Sequence, residues 1–147
     1  MDLDTLLNKN QKEEATYLDS HLRIIAGAGS GKTRVVTYRI AHLIQDIGID
    51  PHSILAITFT NKAANEMKER VNEIVGIHGS GTLICTIHSL CVRLLRQHIN
   101  VLNYPSNFTI MDEEDQKALI KKLYTQLEID AKVISIKSMI NTISSYK

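Results

Sequence analysis

A glycine-rich segment between an apolar run and a helical stretch constrains this chain more than any other feature. The segment reads AGAGSGKT and covers residues 26–33. It follows the apolar run at residues 21–26, and apolar residues recur at helical spacing over residues 32–47. Glycines let backbone N–H groups turn toward an anion at a helix N-terminus, where the helix dipole favours negative charge. The order of strand, turn and helix therefore predicts a phosphate-binding loop.

Each residue type of this loop has a chemical role in the prediction. Lys32 is the expected catalytic residue, because its ammonium can reach terminal phosphates, and the Thr33 hydroxyl is the expected Mg²⁺ ligand. Alanine replaces the glycine with which such loops commonly begin, so the turn has to bend at Gly27, Gly29 and Gly31. The predicted nucleotide site comprises Ala26, Gly27, Ala28, Gly29, Ser30, Gly31, Lys32 and Thr33.

Further strands and helices alternate along the first two thirds of the chain. Residues 54–60 and 82–87 form apolar, β-branched runs, each followed by a helical pattern, with Ser89 as the expected cap of the second helix. Asn8 and Gln11 form a capping-box pattern ahead of an earlier helix. This alternation predicts an α/β fold with a parallel sheet covered on both faces.

After Pro105 the pattern becomes helical. Asp112 opens one predicted helix and Ser135 a second, so a domain boundary is expected near residue 112. The predicted domains are residues 1–111 and 112–147.

Composition narrows the class of protein. With 17 Lys and Arg against 16 Asp and Glu, the net charge is +1, so a nucleic acid would need a local patch rather than bulk charge. Two cysteines do not make a disulfide framework, and we expect both to be buried small hydrophobes. No apolar run approaches the ~18 residues of a membrane span. A cytoplasmic protein without membrane contact is therefore expected.

Four segments together resemble the superfamily I DNA helicases of the UvrD/Rep/PcrA type. They are LNKNQKEEA at residues 7–15, the AGAGSGKT loop, ITFTNKAANEMKER at residues 57–70 and CTIHSL at residues 85–90. The resemblance covers essentially the whole chain. It implies a RecA-like P-loop NTPase domain with an incomplete parallel sheet, followed by the start of an inserted helical subdomain.

The resemblance also implies roles for individual residues. Gln11 matches an adenine-reading glutamine, although the capping box alone also explains it, and Arg34 lies near the nucleotide or is an ordinary solvated helix arginine. Phe59 either stacks on a base or belongs to the core, and Ile87 replaces an aromatic residue of the family. The implied contacts to single-stranded DNA are Phe59, Thr60, Asn61, Lys62, Thr86, His88 and Ser89.

An ATPase of this class also needs an acidic pair that acts on Mg²⁺ and the attacking water. Asp112 and Glu113 end the short apolar run at residues 108–111, but Asp112 also suits a helix N-cap. The resemblance places the acidic motif later than residue 147. It implies the N-terminal ATP-binding portion of a 3′→5′ DNA helicase of the DNA-repair type, inactive alone, with ATP, Mg²⁺ and single-stranded DNA as ligands.

Two other functions are compatible with the residues. One is a small self-contained P-loop nucleotide kinase or ATPase that uses Asp112, which would then lie on a strand beside the loop. The other is a non-catalytic module that binds nucleic acid or protein.

An incomplete sheet also exposes an edge, so self-association is expected.

Overall fold

The computed structural model describes residues 1–27 and 29–146, and Ala28 and Lys147 lie outside the described residues. The protein is mixed α/β. Its contacts divide it into two compact units, Met1–Gln97 and His98–Lys147. The boundary expected near residue 112 refers to a RecA-like domain and its insertion, and it stays a prediction.

The first unit contains the sheet and most of the helices. A 3₁₀ helix at Pro51–Ser53 precedes the first strand, and another at Gly76–Gly79 precedes the second. The remaining elements are α1 (Leu3–Leu6), α2 (Lys9–Thr16), α3 (Lys32–Gln45), β1 (Leu55–Thr58), α4 (Asn61–Val75), β2 (Leu83–Thr86) and α5 (Ile87–His98), which ends at the first residue of the second unit.

The second unit is helical in its described residues. A 3₁₀ helix at Ile99–Leu102 leads to α6 (Glu113–Gln126) and α7 (Ile136–Ser145). Asp112 is the N-cap of α6 and forms a capping box with Asp115, and the Ser135 side chain caps α7 by accepting the Ser138 N–H. Both predicted helix starts are confirmed.

Helix starts in the first unit follow their side-chain caps. The Asn8 side chain accepts the Gln11 N–H at 2.9 Å, and Gln11 Oε1 accepts the Asn8 N–H at 3.3 Å, so the predicted capping box is confirmed. The prediction that Ser89 caps α5 is wrong. Thr86 Oγ1 accepts the Ser89 N–H at 3.2 Å, so the cap lies three residues earlier.

Strands β1 and β2 pair in parallel, with the register running from Leu55–Leu83 to Thr58–Thr86. The strand predicted at residues 21–26 does not form, because no described strand offers it backbone hydrogen bonds. Ile25 is instead exposed. Within the described residues the sheet therefore has two strands rather than three.

The main core lies between one face of this sheet and helices α3 and α4. Its buried members are Ile40, Ala41, Ala56, Ala64, Met67, Val71, Val75 and Ile84. A smaller cluster joins Leu3, Leu7 and Ala15 to Val35 of α3. Val35 is 2% exposed, whereas its neighbour Val36 is 36% exposed. Helix α3 is therefore rotated so that Val35 packs with this second cluster.

The opposite sheet face is not covered as predicted. Leu55 and Ile57 alternate with the buried Ala56 and are about half exposed. Exposed apolar side chains at one sheet face are an unsatisfied packing surface.

The prediction that both cysteines are buried is also wrong, because Cys91 is exposed and Cys85 is only half-buried.

Candidate functional site

Two glycines give the phosphate loop its bends. Gly29 has a φ of 76° and Gly31 a φ of 88°, in the left-handed region, whereas Gly27 does not share it. The prediction of bends therefore holds for two of the three glycines. A Cβ at Gly31 would lie 2.8 Å from Gln11 Nε2. Position 31 thus disfavours other residues through its backbone angle, whereas the Gln11 amide is the end of a flexible side chain that could move aside. Ala28, also assigned to this site, lies outside the described residues.

The Lys32 side chain folds back onto the loop that precedes it. Its Nζ donates to the Ala26 carbonyl at 3.0 Å and to the Gly27 carbonyl at 2.5 Å. The Ser30 hydroxyl also donates to the Gly27 carbonyl, at 2.9 Å. The ammonium therefore lies against the loop at the N-terminus of α3, where an incoming phosphate could replace these carbonyl oxygens as its partner.

Thr33 is exposed in the first turn of α3. Its carbonyl accepts the Thr37 hydroxyl at 2.8 Å, while its own hydroxyl has no hydrogen-bond partner among the described residues. A free hydroxyl next to the loop lysine suits an oxygen-preferring cation such as Mg²⁺. Lys32 and Thr33 together fit a magnesium-bound polyphosphate.

Gln11 joins the start of α2 to the phosphate loop. Besides its bond to the Asn8 N–H, its Nε2 donates to the Ser30 carbonyl at 3.1 Å. The sequence left open a cap or an adenine reader, and it gave no sign of this third contact. The adenine contact stays a prediction.

Arg34 is bound to the N-terminal segment. Its Nη2 donates to the Leu6 carbonyl at 2.8 Å, and the guanidinium lies 5.5 Å from the centroid of the Tyr38 ring, within cation–π range. Arg34 is thus more than a solvated helix arginine. Its contact with the nucleotide stays a prediction.

Phe59 follows β1 directly and is 103% exposed, so the core interpretation of this residue is wrong. Thr60 caps α4, because its hydroxyl accepts the Ala63 N–H at 3.1 Å. Asn61 is therefore the first helical residue and not the cap. Asn61 and Lys62 are both exposed. This segment presents an aromatic ring, an amide and an ammonium to solvent.

The second segment assigned to DNA begins at the same sheet edge. Because Thr58 pairs with Thr86, the two strands end side by side. Thr86 itself is buried, and its hydroxyl bonds to the Ser89 N–H and, at 2.9 Å, to the Ser89 hydroxyl. His88 and Ser89 are exposed. Thr86 therefore stabilises the start of α5, while His88 and Ser89 present their side chains to solvent.

Asp112 lies at the start of a helix and not on a strand. Its side chain accepts the Asp115 N–H at 2.8 Å as the cap of α6, so its position contradicts the kinase alternative.

In the described part of the chain, no group of three or more His, Cys, Asp or Glu side chains could hold a metal ion. Searching the same residues, we find no helix with the length and apolarity needed to span a bilayer.

Arg39 joins α3, the helix that follows the phosphate loop, to the end of α2, and no sequence pattern predicted this role. Its Nη1 donates to the carbonyls of Tyr17 at 2.5 Å, Glu14 at 3.2 Å and Ala15 at 3.5 Å. These carbonyls lie at the C-terminal end of α2, where helix carbonyls lack partners. An arginine on a helix gives no local sign of a partner more than twenty residues away.

Comparison with known proteins matches nearly the whole chain to one family. A model of the family described as UvrD/REP helicase N-terminal domain matches residues 7–147. The chain is 48% identical over 141 residues to a protein named ATP-dependent DNA helicase PcrA from Bacillus subtilis (strain 168). It is 45% identical over 141 residues to proteins of the same name from Staphylococcus aureus (strain NCTC 8325 / PS 47) and Staphylococcus epidermidis. Each match covers 96% of this chain and 19% of the relative's length.

Proposed function

Because the chain belongs to the UvrD/REP helicase N-terminal domain family, we propose that it is the N-terminal ATP-binding portion of an ATP-dependent DNA helicase. The relatives that it matches carry that activity in their names. The proposal includes a RecA-like fold for residues 1–111, a helical insertion beginning at residue 112 and a cytoplasmic location. The 3′→5′ direction of movement on single-stranded DNA rests on the sequence resemblance alone.

One observation carries the nucleotide part of this proposal: the Lys32 ammonium lies against the loop carbonyls at the N-terminus of α3. ATP phosphates would replace these carbonyls as acceptors for the ammonium, and their negative charge would interact favourably with the helix dipole. The Thr33 hydroxyl would hold Mg²⁺, which neutralises phosphate charge when bound. Gln11, which donates to the loop at Ser30, and Arg34, in the first turn of α3, would also contact the nucleotide.

Calorimetry of the 147-residue chain with ATP and Mg²⁺ tests this proposal. We expect binding that Lys32→Ala weakens about tenfold or more, because charge-assisted hydrogen bonds contribute ~1.5–3 kcal/mol. Thr33→Ala should remove only the part of the affinity that depends on Mg²⁺. Lys9→Ala, an exposed lysine at the start of α2, is the matched control. Equal binding by the Lys32 and Lys9 variants would contradict the proposal.

We expect this chain alone to hydrolyse ATP negligibly. Asp112, the acid that a self-contained enzyme would use, has its carboxylate engaged in a helix cap of the second unit. A steady-state phosphate-release assay with and without single-stranded DNA measures this. A DNA-stimulated rate that disappears in Lys32→Ala would overturn the expectation and favour a self-contained ATPase.

The DNA part of the proposal concerns the shared end of β1 and β2. The full exposure of Phe59 supports base stacking there, and Asn61, Lys62, His88 and Ser89 offer donors to backbone phosphates. Thr60 and Thr86 contribute by capping the helices from which these side chains extend. A non-catalytic module would bind the same DNA with an affinity that ATP does not change, so anisotropy with and without ATP separates the two functions.

A further inference from the structure

A cavity of about 460 Å³ lies against β2 in the first unit, and no residue of the proposed nucleotide site lines it. Its walls come from α4, the segment at residues 79–82, β2 and the first two turns of α5. The polar side chains that line it are Lys68, Asn72, Ser80, Thr82, Ser89 and Arg93. Only Ser89 is shared with the proposed DNA contacts.

The charge of this cavity has one sign. Lys68 and Arg93 are its charged lining residues, and no carboxylate accompanies them in the wall. Neither cation forms an ion pair with any residue that the structure describes. Two cations from different helices that line one cavity repel each other unless an anion lies between them. The charge therefore favours an anionic ligand.

Thr82 provides an independent observation. It is 8% exposed, and its hydroxyl has no hydrogen-bond partner among the described residues. Its N–H is satisfied, because it donates to the Gly79 carbonyl at 3.1 Å. Buried hydroxyls nearly always have a partner, so the Thr82 hydroxyl is a donor without an acceptor in a residue that lines the cavity.

We propose that this cavity binds a phosphate group, held by Lys68, Arg93 and the Thr82 hydroxyl. Phosphate oxygens accept several hydrogen bonds at once, and charged donors make the strong ones. The Asn72 amide and the Ser89 hydroxyl provide further donors in the same wall. The phosphate belongs to inorganic phosphate or to a nucleic-acid backbone. The site adds to the proposed function, since Ser89 is the one lining residue that also belongs to the proposed nucleotide or DNA contacts.

Titration of the ¹⁵N-labelled 147-residue chain with inorganic phosphate tests the site by NMR. We expect saturable shifts of the Ser80, Thr82 and Ser89 amides. Lys68→Met should weaken phosphate binding about tenfold. Arg70→Met removes the same charge from an exposed position of α4 outside the cavity and should change the affinity less than about twofold. Equal losses of phosphate affinity in the two variants would show that positive charge attracts phosphate non-specifically, and this would overturn the proposal.

Thr82→Val separates a ligand contact from a structural role. Valine keeps the shape and removes only the unpaired hydroxyl, so the free protein should unfold at the same or a higher urea concentration. Its phosphate affinity should nevertheless fall. A variant that is less stable but binds phosphate normally would contradict the proposal.

A second titration identifies the source of the phosphate. If a nucleic-acid backbone occupies the cavity, a ten-residue oligothymidylate shifts the same amides, displaces inorganic phosphate and binds more weakly to the Lys68 variant. If the ligand is the free anion, phosphate alone shifts these amides and the oligonucleotide leaves it in place. No shift with either probe would overturn the proposal. Because ATP binding at Lys32 is measured separately, its failure would leave this result unaffected.

Discussion

Phe59 presents its whole ring to solvent at the end of β1, although strand patterns usually place an aromatic residue in the core. We expect Phe59→Leu to weaken binding of single-stranded DNA about tenfold, because stacking contributes ~1–3 kcal/mol per base. Phe59→Tyr keeps the stacking surface and should bind like the original chain. Fluorescence anisotropy with a labelled oligothymidylate measures both.

Stability separates this role from a packing role. Because Phe59 buries no area, Phe59→Leu should leave the urea midpoint unchanged. A lower midpoint together with unchanged DNA affinity would show that the ring packs inside the protein.

Asp46 makes the stability of the N-terminal segment depend on pH. Hydrogen bonds from the Met1 amine, and then from His42, lower the pKa of Asp46 below its ordinary value of 3.8, while desolvation opposes them. The stabilisation from a lowered folded pKa is present above 3.8 and is lost as the pH falls through the folded pKa.

We therefore expect Asp46→Asn to lower the urea midpoint slightly at pH 7, and the difference from the original chain to shrink toward pH 3. Glu13→Gln is the control, because the Glu13 carboxylate forms no ion pair within the described chain. A difference for Asp46→Asn that stays constant from pH 7 to pH 3 would exclude this linkage.

At the scale of elements, Arg39 fastens the end of α2 to α3 through three carbonyls. Arg39→Met keeps much of the aliphatic stem but leaves these carbonyls without their charged donor. We expect the free energy of unfolding to fall by about 1–3 kcal/mol, measured by urea denaturation. Arg23→Met, at an exposed residue without a hydrogen bond in the described structure, should have little effect.

The elements that were predicted correctly from sequence are those determined by local chemistry. Helix α4 follows the apolar run at residues 54–60 as predicted, because Thr60 caps its start, and Gly76, with a φ of 68°, ends it. The strand at residues 21–26 failed because a strand depends on a partner that is distant in sequence. The Gln11–Ser30 and Arg34–Leu6 contacts are likewise non-local. The pattern that identified the phosphate loop could not reveal them.

At the scale of the whole molecule, the uncovered sheet face is a surface that could join two copies. Leu55 and Ile57 expose apolar side chains next to an edge of a two-stranded sheet. We expect self-association that increases with concentration, measured by light scattering after size-exclusion chromatography. Ile57→Lys should shift the chain toward monomer.

Ile77→Lys is the matched control, because Ile77 is exposed in the 3₁₀ helix that precedes β2 rather than on the sheet. A monodisperse monomer at all concentrations would rule out this surface as an interface. Equal effects of the two lysine variants would trace the association to general hydrophobicity.

Both ends of the Gln11 amide are already engaged, one with the beginning of α2 and the other with Ser30. Its second N–H and the second lone pair of its oxygen stay available, so a purine that recruits this amide would share it with both existing contacts. One side chain would then join the base, the first turn of α2 and the phosphate loop. Binding of the base would thereby act on the amino-terminal segment through Gln11, which makes this residue a coupling point between ligand and scaffold.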